Sequence, residues 1–367
     1  MSESDIYPFH MPGHKRRGFV LDDACWLNEA YRYDITEIDG FDDLQSPSGI
    51  IADIEERLAS LYNVRKAFLS VNGSTCGNLA AISALVPAGG VLLADEGAHR
   101  SVHNATILRG CRYTHLKREA IPGTGLTSCV SPDEIENKLM KAKKDGCLPD
   151  AVLITSPTYE GFIAYMDRIA DIVHEFGLPF IADSAHGAHF TEDMFHADVT
   201  VVSLHKTLPA MTQVSAVLVN GETVKPDEIK RYINMFQTTS PSYVLMSSAE
   251  RCVNIVENKG ADLRNRLNSN LDRLYSLNSE LKNLYLTGNE QKGKYGIFDF
   301  DRSKINLIDR TGTLSGSGLY DILRKDFHLQ PEKAGSRTCL MMAGIMDTDE
   351  GFDRLINAVK EIDDRIK

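Results

Sequence analysis

The stretch PFIADSAHGAHFTEDMFHADVTVVSLHKTLPAMTQ, Pro179–Gln213, decides how the chain is read. It holds two apolar runs, Pro179 to Ala182 and Val199 to Leu204. Neither alternates with polar residues, as a strand with one wet face would; each reads as a strand buried on both faces, the habit of parallel sheets. Each run ends on chemistry. The first delivers Asp183, the second Ser203, His205 and Lys206, with Pro209 beyond. Open α/β sheets bind ligands at the carboxyl ends of their strands, so both ends face one crevice. Each residue also has an ordinary reading. A lysine can run its stem over apolar surface and keep its amine in water. An aspartate at a strand end can cap a turn.

Working outward, the same alternation continues. Ile50 to Tyr62 has helical apolar spacing through Ile50, Ile51, Ile54, Leu58 and Leu61. Ala67 to Val71 reads as a strand, and Asn78 to Leu85 as a helix stopped by Pro87 and Gly89–Gly90. Val91 to Ala94 is a strand and Ser101 to Leu108 a helix. Pro132 to Lys144 is an amphipathic helix with Ser131 as N-cap and proline at its first position. Ala151 to Thr155, Asp167 to Phe176 and Val214 to Val219 read as strand, helix and strand. Such alternation predicts an α/β fold with a mainly parallel sheet covered on both faces. After Pro241 the pattern changes. Tyr243 to about Leu286 is a long helical stretch, interrupted near Asn268–Asn270. Gly296–Phe300, Lys304–Ile308, Gly318–Phe327, Thr338–Met342 and Glu350–Ile366 then predict a small α+β unit. The expected division is 1–49 as an arm of loops, 50–250 as the large cofactor-binding domain, and 251–367 as long helix and small C-terminal domain.

The 367 residues carry 51 Asp and Glu against 40 Lys and Arg, a formal net charge of −11. That balance argues against a nucleic-acid binder, which needs a basic face. Hydrophobic residues at 43% and charged residues at 25% exclude a disordered chain. The seven cysteines form no C-x-x-C pair, which removes a zinc ribbon or thioredoxin-like motif. The start has no apolar core of a secretory signal, and no run approaches the roughly 18 apolar residues of a membrane span. The expectation is a reduced, cytoplasmic protein with no membrane or nucleic-acid partner.

Asp183 and Lys206 together fit the needs of pyridoxal phosphate. Its aldehyde takes a lysine amine, and its pyridinium nitrogen takes a carboxylate. A strand-to-helix turn at Gly73-Ser74-Thr75 aims backbone N–H groups and two hydroxyls at an anion, which suits the cofactor phosphate. The turn is neither a Walker A nor a dinucleotide fingerprint, and its ordinary reading is an N-cap. His99 and His103 share one helix face, and His99, at the helix start, is the better placed to stack on a pyridine ring. A metal-dependent hydrolase built on Asp183, His186, His189 and His196 is the competing class. It leaves Lys206 and the Gly-Ser-Thr turn without a role.

These motifs stand in an order that resembles the pyridoxal-phosphate decarboxylases acting on ornithine, lysine and arginine. The matching segments are HMPGHK (His10–Lys15), DITEIDGFDDLQSPSGII (Asp34–Ile51), the Gly-Ser-Thr turn, GAHRSVHNA, SPTYEG (Ser156–Gly161), DSAHGAHF (Asp183–Phe190), SLHKTLPAMTQ and QTTSPSY (Gln237–Tyr243). The resemblance implies a three-layer, fold type I large domain plus a small C-terminal α+β domain. It implies that Lys206 forms the Schiff base, Asp183 meets the pyridine nitrogen, and His99 and Ala185 lie on opposite ring faces. Ser74, Thr75, Ser203 and His205 would hold or flank the phosphate, and His186 belongs to the same cofactor-binding set. Thr239 and Ser240 would reach the phosphate of a neighbouring subunit, giving a homodimer with shared active sites.

Two departures bear on substrate choice. The 367 residues are expected to include neither the N-terminal wing domain nor the further C-terminal domain of larger members, and they read D-S-A-H where small members commonly read D-E-A-H. A basic substrate needs an anionic partner for its distal group, and the candidates are Glu37, Asp39, Asp42, Asp43 and Glu160. An aminotransferase of the same fold would need a carboxylate-binding arginine, for which Arg337 is the candidate. A catalytically inactive cofactor-binding protein is the remaining alternative.

Overall fold

A computed structural model of the chain describes residues 42–190 and 196–366, together with the backbone of Tyr7–Pro8. Seven strands form the central sheet: β1 (Lys66–Ser70), β2 (Val91–Asp95), β3 (Arg112–Leu116), β4 (Ala151–Thr155), β5 (Phe180–Asp183), β6 (Val199–Val202) and β7 (Ser215–Val219). Their spatial order is β1-β7-β6-β5-β4-β2-β3. Neighbours are parallel except at β7, which runs antiparallel to both β6 and β1.

Alternate residues of each strand feed opposite faces, as a period of two requires. Phe68, Leu92, Leu153, Ile181 and Val217 face helices α2 (Gly73–Leu85), α3 (Arg100–Arg109) and the helix Pro226–Phe236. Leu69, Val202 and Leu218 face α1 (Ile50–Leu61) and the long helix Tyr243–Ser276. Leu93, Val152 and Phe180 face the helices Pro132–Lys144 and Met166–Glu175. The result is three layers. α2 lies against the sheet so closely that a Cβ on Gly77 would stand 2.6 Å from a methyl of Val201 and 3.0 Å from one of Val217.

A second sheet of four antiparallel strands follows the long helix: Leu284–Thr287, Lys304–Asp309, Thr338–Met342 and Lys333–Ala334 in spatial order. Two strand pairings tie the two halves of the chain together, Phe162–Ala164 against Ile297–Phe300 and Tyr7–Pro8 beside Leu329–Gln330.

Three expectations change. α2 begins at Gly73, not Asn78, because Gly73 takes a left-handed φ of 73° and turns the chain straight into the helix. The long helix runs unbroken from Tyr243 to Ser276. Asn270, where a break was expected, is buried, with its amide donating to Asp349 Oδ1 and its oxygen accepting from Arg273. The edge strand β3, the hairpin Arg118–Ile121 with Leu126–Val130, and the helix Pro226–Phe236 are additional to the sequence reading.

The start of α1 is organised by Asp42. Gly49, the N-cap, has no side chain to offer; the Asp42 carboxylate instead accepts N–H bonds from Ser48, Gly49 and Ile51 at 2.8–2.9 Å. Burial opposes charge on Asp42, but these N–H groups and that of Asp43 outweigh it and hold the carboxyl below the usual carboxylate range. A carboxyl lowered in the folded state stabilises it above the unfolded value of about 3.9, and the gain fades as pH falls through the lowered value. Asp42→Asn should therefore cost about 1–2 kcal/mol at neutral pH. Urea unfolding should show the gap to wild type closing in acid; a gap independent of pH would contradict the capping role.

Candidate active site

The parallel strands β4, β5 and β6 end side by side, and a cleft of about 540 Å³ opens there. Nine of the eleven residues expected to bind the cofactor line it: Ser74, Thr75, His99, Asp183, Ala185, His186, Ser203, His205 and Lys206. Thr239 and Ser240 do not; both are exposed.

Lys206 sits on a single helical turn, Leu204–Thr207, directly after β6. Its Nζ lies 3.1 Å from His186 Nε2. Burial lowers the affinity of the amine for a proton and Lys304 adds to this, while Asp183 and Glu332 oppose it. His186 is driven further the same way, well below an ordinary histidine, by burial first and then by Lys206 and Lys304. The pair is therefore an amine whose hold on its proton is weakened, beside a neutral imidazole.

Asp183, 2% exposed, closes β5. Its Oδ1 accepts the Ala185 N–H at 3.2 Å, and its Oδ2 accepts from Asn78 Nδ2 at 2.8 Å. The same Asn78 amide donates to Ser101 Oγ at 2.9 Å, and Ser101 Oγ lies 2.8 Å from His99 Nδ1. His99 is the N-cap of α3, and its Nδ1 also accepts the Ser101 N–H. An Nδ1 that accepts leaves the proton of the neutral ring on Nε2; this tautomer is assigned from the hydrogen-bond pattern. Burial is the main cause that lowers the His99 proton affinity, with Asp183 opposing and Lys206 and Arg100 assisting.

Ser74 and Ser203 hydroxyls meet at 2.6 Å where α2 begins. His205 is turned by a bond from Nδ1 to the Val214 carbonyl at 2.9 Å. On the far wall Arg118 forks onto Asp95, with Nε donating to Oδ1 at 2.7 Å and Nη2 to Oδ2. Tyr159 donates to Glu332 at 2.5 Å, and Lys333 lies 3.5 Å from Glu160.

Asn78, Ser101 and Arg118 escaped the sequence reading. Asn78 left one trace, an amide just ahead of the apolar run Leu79–Ile82 in a buried helix, where an unpaired amide would be costly. Arg118 left none, since only the fold brings it to Asp95.

Other expectations are redirected. Of the acidic candidates, Glu160 lines the cleft. Asp42 caps α1 and Asp43 accepts the Gln45 N–H, so both are committed to the backbone. Glu37, Asp39 and the HMPGHK segment lie outside the described residues. Arg337 borders a separate cavity with Arg310 and Tyr285 and donates to the Asp309 carbonyl. His103 stacks on Tyr113. The supposed metal ligands diverge: His186 faces Lys206, His189 lies 3.3 Å from Asp301, and His196 borders another cavity. Among the described residues no three His, Cys, Asp or Glu side chains are grouped to hold a metal ion. Among them, too, no helix is long and apolar enough to cross a membrane.

The sequence profile of the family described as "Orn/Lys/Arg decarboxylase, major domain" matches residues 1–292. The chain belongs to that family. The chain is 34% identical to YaaO of Bacillus subtilis over 256 residues, covering 66% of this chain and 52% of that protein. It is 26% identical to an arginine decarboxylase of Halalkalibacterium halodurans over 377 residues, 97% of this chain and 74% of the relative. The lysine decarboxylase of Francisella novicida superposes with a TM-score of 0.78 at 18% identity, over 95% of this chain and 56% of that one. The ureidoglycine–glyoxylate aminotransferase of Bacillus subtilis superposes with a TM-score of 0.70 at 16% identity, over 94% and 90%. The fold is thus that of the fold type I pyridoxal-phosphate enzymes. The chain spans about half the length of YaaO and of the Francisella enzyme.

For this member of the family, the Asp183–Asn78–Ser101–His99 chain makes a definite prediction. Asn78→Leu removes the one amide that serves both Asp183 and Ser101. Unfolding in urea should show a loss of about 1–3 kcal/mol. The ¹⁵N spectrum should show His99 no longer confined to one tautomer. Unchanged stability and an unchanged His99 signal would mean that the chain of bonds does not form.

Proposed function

We propose that this chain decarboxylates a basic amino acid (lysine, ornithine or arginine) to the amine and carbon dioxide, with pyridoxal phosphate as cofactor. The observation that carries the reading is the amine of Lys206. It lies in a cleft beside a neutral imidazole, makes no ion pair among the described residues, and shares that cleft with Asp183. Family membership supports the reaction class, and the arginine and lysine decarboxylases among the relatives support a basic substrate.

The residues fit the cofactor. Asp183 is buried with both oxygens held by N–H donors, the arrangement needed to meet a protonated pyridine nitrogen. Ser74, Thr75 and Ser203 stand where α2 begins, with the N–H groups of its first turn unpaired within the helix, and would hold the phosphate. His99 and Ala185 border the space between and would flank the ring. When bound, pyridoxal phosphate supplies the aldehyde that joins an amine and the ring that takes up the electron pair freed as carbon dioxide leaves.

The chain's own part is proton handling and orientation. Lys206, whose hold on a proton burial weakens, can act as a nucleophile and can later return a proton to the substrate carbon. The His99 Nε2–H, fixed by Ser101, is a second donor bordering the cleft. Glu160 on the wall offers charge to a distal ammonium or guanidinium, its own charge tempered by Lys333. Thr239 and Ser240, exposed and outside their own cleft, are free to serve a second copy of the chain in a homodimer.

Purified protein supplied with pyridoxal phosphate should develop a visible imine band and release carbon dioxide from at least one of lysine, ornithine and arginine. Lys206→Ala should abolish both, a fall of at least about 1,000-fold in rate. A wild-type band without release from any of the three would sink the decarboxylase assignment; no band at all would sink the cofactor assignment as well.

A further inference from the structure

A lysine opens the second strand of the small sheet with its side chain fully buried. Lys304 is 0% exposed. Buried lysine is rare and is costly unless paired. Here Nζ reaches Asp301 Oδ2 at 2.8 Å, Ser303 Oγ at 3.3 Å and the His186 carbonyl at 3.4 Å. Asp301, itself buried, also accepts the Ser303 N–H at 2.9 Å and has His189 Nε2 at 3.3 Å.

The same segment grips a second loop. The Asp301 N–H donates to the Gly161 carbonyl at 2.8 Å, and Asn306 Nδ2 donates to the Glu160 carbonyl at 2.8 Å. Gly161 has a φ of 99°, and a Cβ there would stand 2.7 Å from the Cβ of Lys304, so that loop is laid directly over the lysine stem. Tyr159 and Glu160 on one loop and His186 on the other all line the cleft. Tyr159 and His186 meet edge to face with ring centres 4.8 Å apart. One buried pair therefore joins the small sheet to both loops, and one of those loops carries the imidazole that touches Lys206.

We infer that Lys304 and Asp301 are positioning residues for Lys206, acting through His186 and the 159–161 loop. The inference rests on reading Lys206 as the reacting amine. The charged groups that face Lys206 are Asp183, Lys304 and Glu332, with neutral His186 in contact; those that face His186 are Lys206, Lys304, Asp301 and His99. Lys304 opposes a proton on Lys206 and on His186, and Asp301 favours one on His186. Removing either member of the pair leaves the other's charge uncompensated next to the amine, so the two removals act in opposite directions.

The test measures how fast Lys206 is acylated by acetic anhydride as a function of pH, read on the Lys206 peptide by mass spectrometry. The full chain is first treated with hydroxylamine and dialysed, so that the amine is free of any carbonyl. Lys304→Met should raise the labelling midpoint by about one pH unit, and Asp301→Asn should lower it by a similar amount. The paired replacement K304M/D301L, which buries no charge, should return the midpoint to within about 0.3 unit of wild type. A purely structural pair would shift both single variants the same way or not at all, and that result would overturn the inference. If the single variants do not fold, a paired variant displaced by more than about one unit would overturn it, and one near wild type would support it. The readout needs no cofactor. A wild type that forms no imine band while the midpoints still move oppositely would defeat the functional reading and leave the positioning intact.

Discussion

Parallel register decides where the chemistry sits. Asp183 pairs with Thr155 on β4 and with Val201 on β6, so three strands end within a residue or two of one another. Everything polar that follows is delivered to one edge: Thr155, Asp183, and then Ser203 to Lys206. A slip by one residue would turn Asp183 to the opposite face of the sheet and replace it with Ala182 or Ser184. The apolar alternation of Ile181, Ala182, Val201 and Val202 between two packed faces makes that slip costly, because both faces are covered. The hydrophobic layers thus fix the position of a carboxylate that contributes little to burial itself.

α2 depends on the same sheet. Its close approach, which Gly77 permits, brings Asn78 to Asp183 and places the helix start over the end of β6, where Ser74 meets Ser203. A larger residue at 77 would lift the helix and separate both pairs at once. Packing and site geometry are therefore one constraint: the glycine that seats the helix also sets the hydrogen bonds that orient Asp183 and, through Ser101, His99.

What the sequence could and could not reveal follows from how far apart the cooperating residues lie. The strands, their end residues and the helix Pro132–Lys144 were readable because periodicity, caps and turn residues are local. Lys206, Asp183 and the Gly-Ser-Thr turn were readable for the same reason, each sitting at a strand end or helix start. Their partners were not. Asn78 lies 105 residues from Asp183, Arg118 lies 23 from Asp95, and Lys304 lies 118 from His186. Nothing local marks Lys304 as buried, since it opens a strand beside Asp301 and Arg302, where a charged turn at the surface is the plain reading. Asp42 failed in the other direction. An acidic loop looked like a place for a cationic substrate, but backbone N–H groups at and just before the start of α1 take both its oxygens.

The arrangement of charge answers a problem that the fold creates. A cleft deep enough to weaken the hold of Lys206 on its proton also penalises the carboxylates that a basic substrate needs. The chain resolves this by pairing. Asp95 is matched by Arg118, Asp301 by Lys304, and Glu160 by Lys333, so much of the charge in and behind the walls is balanced pair by pair. Asp183 differs, since its partners are the neutral Asn78 amide and the Ala185 N–H. Its charge is left to act on whatever enters. A carboxylate held by neutral donors and an amine with no ion pair among the described residues share one cleft, and both stay open to a ligand.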